Sequence, residues 1–272
     1  MLANFGIGTL AVSASDPAGS GRLGVVAQRC ALALLLLAAW WAASLATPVY
    51  VLPSPQRVFA RVVQLTQSGD LPLNLVTTLL RVLAGFALAV LLGVPGGLLL
   101  GSNRALGNFF EPILPVMNTV SSAIWAIFAV IWFGLSPATP IFVVLMTAFP
   151  LIVTNVWQGT QAVNADYVEL AQALRFSRAK TLVKIYLPSI LPYFFSGSRL
   201  AFGFGWRVSL VAETLGASSG VGYRLRQASD LIQTDQVFAW TIVQIVMMLV
   251  IEIGMLQPLE RRLFRWRRDV RT

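Results

Sequence analysis

Histidine is absent from the 272 residues, and cysteine occurs once, as Cys30. No disulfide can close within the chain, a Cys/His zinc site lacks its ligands, and no histidine is present for acid–base catalysis. Charge is also scarce. Asp, Glu, Lys and Arg make up 11% of the residues, against roughly 25% in an ordinary soluble domain. Only 11 residues are acidic, and the scarcity of paired carboxylates argues against a membrane enzyme acting on lipid. A Gly-Lys pair occurs nowhere, so the chain has no GxxxxGK-Ser/Thr phosphate loop. If ATP drives this protein, another chain holds the nucleotide.

What fills the space is apolar: 57% of the residues are hydrophobic and the mean hydropathy is +0.74. The expectation is an all-α polytopic membrane protein. A spanning helix needs about 20 mostly apolar residues. Stretches poor in charge place six spans at about 30–47, 74–100, 112–133, 139–157, 192–214 and 237–257. The run Gly134-Leu-Ser-Pro-Ala-Thr-Pro140 supplies a turn between the third and fourth. Residues 1–29 then form an N-terminal segment expected to be disordered, 30–258 a membrane domain, and 259–272 a basic tail. Positive charge orients such bundles. Arg22, Arg29, Arg104, Arg175, Arg178, Lys180, Lys184 and six tail arginines (261, 262, 265, 267, 268, 271) fall on one side, against Arg57, Arg61, Arg224 and Arg226 on the other. Both termini are therefore expected in the cytoplasm, in a plasma (inner) membrane. The tail, with Phe264 and Trp266 interleaved, fits anchoring to anionic lipid better than binding to nucleic acid.

Several local patterns leave two readings open. The first hydrophobic run is read as a span, the other reading being a signal peptide cleaved near Ser44-Leu-Ala46. Gly19-Ser-Gly21-Arg-Leu-Gly24 matches GxGxxG, but no strand precedes it, so a dinucleotide site is rejected. Segment 54–68 reads as a short surface helix capped by Ser54, with Pro55 in its first turn and Val58, Val62 and Leu65 on one face, or else as an ordered loop. Gly93, Gly97 and Gly101, and likewise Gly197, Ala201 and Gly205, recur every four residues. Such stripes suit close helix packing in lipid, the other reading being a direct role in the transport path.

Loop 158–191 is far longer than a connector needs. Val168, Leu170, Ala171 and Leu174 lie at helical spacing, and Leu182, Val183, Ile185 and Tyr186 continue the pattern beyond Ser177. Two short helices across the cytoplasmic face are expected, with Pro188 and Pro192 stopping or kinking the chain before the fifth span. Glu169-Leu-Ala171, three residues, Arg175, nine residues, Ile185-Tyr-Leu187-Pro188 resembles the EAA motif of ATP-binding-cassette importer permeases. Leu170 stands where the family has Ala, and Arg175 where it has Gly. Segments from Arg81 to Gly222, such as Ile131-Trp-Phe-Gly134 and Ala212-Glu-Thr-Leu-Gly-Ala-Ser-Ser-Gly-Val-Gly222, look most like the nitrate/sulfonate/taurine/bicarbonate branch. Residues 118–125 depart from a segment that is Pro-rich there, and Arg224 and Arg226 replace commonly apolar residues.

The resemblance implies a permease subunit without catalytic residues, metal or cofactor of its own, with ATP and Mg on a partner ATPase. That ATPase would dock on Glu169, Leu170, Ala171, Leu174, Arg175, Ile185, Leu187 and Pro188. A second permease copy and an extracytoplasmic solute-binding protein complete the implied assembly, and the branch implies a small anionic solute, with a pyrimidine-type vitamin precursor as the other reading. The alternative is an ATP-independent secondary transporter or channel, which leaves the ordered loop unexplained.

Charges inside a span usually face the bundle or water. Arg199 and Arg207 lie near one face of the fifth span, which also carries Glu213, and Glu252 lies in the sixth. Arg207 is expected to pair with Glu213 or Glu252, as a structural clamp or as path or gate lining; Arg81 is expected to snorkel. Asn118, Ser122 and Trp125 follow i, i+4, i+7, giving the third span a polar and aromatic face for a translocation path or for interhelical hydrogen bonds. Ser121 and Asn155 are further path candidates. Arg207, Arg224 and Arg226 would suit an anionic solute.

Overall fold

The computed structural model describes residues 20–256 and residue 258. The basic tail and residues 1–19, with the start of the GxGxxG match, lie outside the described residues. Regular structure among the described residues is entirely helical. The chain divides into two compact units, residues 1–55 and 56–272. In the first, α1 (Ser20–Ala46) is apolar over Cys30–Ala46.

The second unit opens with α2 (Pro55–Gln67), which buries Val58 and Leu65, as the spacing of its apolar residues predicts. Next come α3 (Asp70–Ser102) and α7 (Ala138–Gln161), which lie against each other. Glycine sets how close they come. A Cβ on Gly97 would sit 2.7 Å from Val156 Cβ, and one on Gly101 2.4 Å from Thr160 Cβ. The four-residue repeat is therefore a packing seam, the arrangement by which helices associate in lipid. Ala89, Ala148, Ile152, Val156, Ile190 and Ala201 fill the buried centre between α3, α7 and α10 (Leu187–Gly216).

Among the described residues, three helices are long and apolar enough to cross a membrane: Asp70–Ser102, Ala138–Gln161 and Thr234–Gly254. The last comprises α12 (Thr234–Ile251) and a π-helical turn that begins at Glu252 and runs to Leu256. The 30-residue α10 carries Arg199, Arg207 and Glu213.

The third expected span, 112–133, is not one straight helix. It is made of α5 (Ile113–Thr119) and α6 (Ser122–Phe133), preceded by α4 (Arg104–Phe110), with a 92° bend between 104–119 and 122–133. Val120 and Ser121 are extended there, and Ser121 accepts a hydrogen bond from Ala123 N at 3.4 Å. Short polar side chains offer the backbone such alternatives to a continuing helix.

Two other expectations change. Pro188 and Pro192 do not stop the chain. A π-helical turn, Leu182–Tyr186, runs straight into α10, where Pro188 takes a first-turn position that needs no N–H donor. The stretch between the fifth and sixth expected spans is not a plain connector: it contains α11 (Val221–Asp230), packed on α10, α12 and α3.

Candidate functional site

One face of α10 presents Ser196, Arg199, Leu200, Gly203, Phe204 and Arg207, spaced alternately by three and one as a helix surface requires. With Asn155 of α7 and Met248, Leu249 and Glu252 at the end of α12, they line a groove of about 640 Å³. Four residues singled out from the sequence, Asn155, Arg199, Arg207 and Glu252, thus meet in one place.

The ion pairs differ from expectation. Glu252 Oε1 accepts from Arg199 Nε at 2.9 Å and also from its Nη2. Arg207 pairs with neither Glu213 nor Glu252. Its guanidinium lies 5.9 Å from the Phe204 ring centroid, and no described carboxylate is within 4.0 Å of it. Nor does Arg81 snorkel: it is 6% exposed and binds Glu213, which is fully buried. Arg224 and Arg226 are engaged too. Arg224 Nη2 donates to Asp70 Oδ1 at 2.8 Å, while Arg226 donates to the Thr214 carbonyl and lies 3.6 Å from Asp230.

Glu213 is therefore not a groove residue but the centre of a clamp between α3, α10 and the start of α11. Its carboxylate accepts from Arg81 Nη1 at 2.8 Å, from Thr78 Oγ1 at 2.8 Å and from Gly222 N at 2.9 Å. Arg81 also donates to the Ser219 carbonyl and hydroxyl, each at 2.7 Å. Asn74 Oδ1 accepts from Gly220 N, and Thr78 Oγ1 from Val221 N. Asn74, Thr78 and Arg81 are spaced four and three apart on an otherwise apolar helix. That polar stripe was readable in the sequence and was missed.

The third-span candidates join neither cluster. The break after Thr119 separates Asn118 from Ser122 and Trp125, so the i, i+4, i+7 face does not exist. Asn118 is exposed, Ser121 caps α6, and half-buried Trp125 packs edge-on against Phe128 and Phe142.

The long loop folds as two short helices, α8 (Ala165–Ala173) and α9 (Arg178–Thr181). Asn164 caps the first, its side chain accepting from Asp166 N at 2.9 Å. Arg175 ends it at φ 53°, with Arg175 N donating to Gln172 O and Phe176 N to Ala171 O. This is a Schellman turn, whose left-handed position usually takes glycine. Ala171 is buried, and Ile185 is half-buried. Glu169, Leu170, Leu174, Arg175, Leu187 and Pro188 are exposed. Tyr167, unmarked in the sequence, joins Leu170 and Leu174 as a large exposed apolar residue, and Leu182 and Val183 add two more beyond α9.

The family model described as binding-protein-dependent transport system inner membrane component matches residues 93–262. The chain is 29% identical to the taurine transport system permease protein TauC of Escherichia coli (strain K12), over 87% of its own length and 88% of that protein's. It is 32% identical to the putative aliphatic sulfonates transport permease protein SsuC of Bacillus subtilis (strain 168), over 80% of its length and 78% of the relative's. Among solved structures, a chain of the inward-facing MetNI methionine ABC transporter superposes with a TM-score of 0.62 at 15% identity, covering 73% of this chain and 98% of that one. At that identity the likeness concerns the fold.

Proposed function

Because this chain belongs to the family of binding-protein-dependent transport system inner membrane components, we propose that it forms the membrane path of an ATP-driven importer for a small anionic solute. In this reading six spans cross the inner membrane, the third broken at Val120-Ser121, with both termini in the cytoplasm. Loop 158–191 couples the path to a separate ATPase that carries ATP and Mg. A second copy completes the path, and an extracytoplasmic binding protein delivers the solute to the outer loops.

The observation that carries the coupling is the α8–α9 unit. A capped helix and a Schellman turn hold exposed Tyr167, Leu170 and Leu174 around exposed Glu169. An ordered apolar patch beside basic residues outside the spans is a surface that a partner covers. For the solute class, support comes from the groove, where Arg199, Arg207 and Glu252 leave one positive charge in excess. Taurine and aliphatic sulfonates, named for the two relatives, both carry a sulfonate.

The test is a mild-detergent pull-down of the tagged chain from its host, with mass spectrometry and stoichiometry. A partner with a GxxxxGK-Ser/Thr motif, at one per permease, is expected, and Glu169→Ala should lower its recovery while leaving the chain in the membrane. No such partner, under conditions that preserve a control complex, would overturn the importer assignment. Normal recovery and normal uptake with Glu169→Ala would overturn the placement of the coupling surface.

A further inference from the structure

We propose that Arg207 is the group in this groove that selects the solute's charge, binding its oxyanion as the solute passes between α7, α10 and the end of α12. The proposal rests on the reading of the chain as the path-forming subunit. It departs from the sequence-based expectation, which divided the anion-binding role among Arg207, Arg224 and Arg226.

Three arginines lie within the spans, and two are neutralised in place. Arg81 has Glu213 and Arg199 has Glu252. Arg207 has no described carboxylate within ion-pair distance, and its contact with Phe204, 5.9 Å from the ring centroid, is at the outer limit of a cation–π interaction. An uncompensated charge near the bilayer centre costs at least about 2.5–3.5 kcal/mol. Such a residue persists where it faces a polar cavity and has work there. Arg207 lines the groove of about 640 Å³, with Asn155 and Ser196 among the other walls. That volume suits a small ligand. A guanidinium presents a planar fork of donors that matches a carboxylate or sulfonate through two parallel hydrogen bonds. Since Arg199 and Glu252 cancel each other, the net charge that an entering solute meets is that of Arg207.

The single cysteine makes the inference directly measurable. Replacing exposed Cys30 by serine leaves a cysteine-free chain, and Gly203→Cys then places one thiol in the groove. A Cβ there would meet Met248 Cε at 3.5 Å, an ordinary contact, and it stands one turn, about 6 Å along the axis, from Arg207. The full chain, with the subunits that purify with it, would be placed in nanodiscs. It would then be treated with an anionic methanethiosulfonate (sulfonatoethyl) or a cationic one (trimethylammonioethyl). The ratio of anionic to cationic reaction rates should fall roughly tenfold on Arg207→Gln, since removing one charge at this range outweighs screening. Arg207→Lys should retain most of the ratio. Leu200→Cys, on the same face, serves as a second reporter.

An unchanged ratio at both positions would overturn the proposal, as would failure of both reagents to react at either. A fall seen in detergent but abolished in nanodiscs rich in phosphatidylglycerol would also overturn it, assigning Arg207 to a lipid phosphate. The readout does not depend on ATP. Absence of an ATPase from the preparation would therefore count against the importer reading alone, and an insensitive ratio in an assembled complex against this inference alone.

Discussion

Two arginine–glutamate pairs involve α10, and they are opposites in all but residue type. Arg81–Glu213 is enclosed, with the carboxylate fully buried and accepting from Arg81, Thr78 and Gly222. Arg199–Glu252 stands in the wall of a groove, 44% and 23% exposed, with a third charge, Arg207, two helical turns away. A charge inside a span is thus not by itself a sign of transport. Counting donors separates the two cases. A fully satisfied network holds backbone in place, whereas an excess of cationic groups facing open volume is available to a ligand.

The largest expected effect comes from breaking the enclosed pair. Glu213→Gln removes the charge that compensates buried Arg81 and leaves the turn at 219–222 weakly held. Loss of one partner of a buried pair costs on the order of 3–5 kcal/mol. Thermal unfolding in detergent, followed by the recovery of monodisperse chain, should show a marked drop in midpoint or no folded protein. A midpoint like that of the parent would mean that the clamp does not hold this end of the bundle.

Gly220→Ala attacks the same clamp through the backbone. Gly220 has φ 101° and ψ 171°, a region open essentially to glycine alone, and an added Cβ would lie 2.3 Å from Glu213 Oε1. Strain of this kind costs about 1–3 kcal/mol, so the midpoint should fall by less than with Glu213→Gln. A neutral result would place the strain elsewhere in the turn.

Glu252→Gln sharpens the contrast from the groove side. A partly exposed pair contributes about 0–1 kcal/mol, so stability should barely change. The groove should become more positive, and a thiol at Gly203→Cys should then react severalfold faster with an anionic reagent than in the parent. A large loss of stability would show that this pair, like the buried one, is a clamp.

These differences mark how far the sequence could be read. The helices lying within each expected span follow from runs of apolar residues, and the α8–α9 unit from apolar spacing, because both are local patterns. Pair choice is not local. Arg81 meets Glu213 across 132 positions and Arg199 meets Glu252 across 53, and nothing in composition ranks one acidic residue over another. The bend at Val120-Ser121 escaped because a hydropathy window sees the apolar residues on both sides and not the backbone between them. The Asn74-Thr78-Arg81 stripe was local and visible, and it would have identified α3 as the partner of a buried charge.

The smallest effect concerns Arg175. It occupies the left-handed position at the end of α8, φ 53°, where the resembled family has glycine. A non-glycine residue there gives up roughly 1–2 kcal/mol of conformational energy. Glycine regains most of that, less the roughly 0.5–1 kcal/mol of backbone freedom it loses on ordering. Arg175→Gly should therefore stabilise α8 by a few tenths of a kcal/mol to about 1 kcal/mol. The gain should appear as slower hydrogen exchange over residues 165–176, with no change in the global unfolding midpoint. If exchange accelerates instead, the exposed guanidinium is holding the turn through a contact worth more than the strain. The departure from glycine would then be a feature of how this α8–α9 surface meets its partner rather than a tolerated cost.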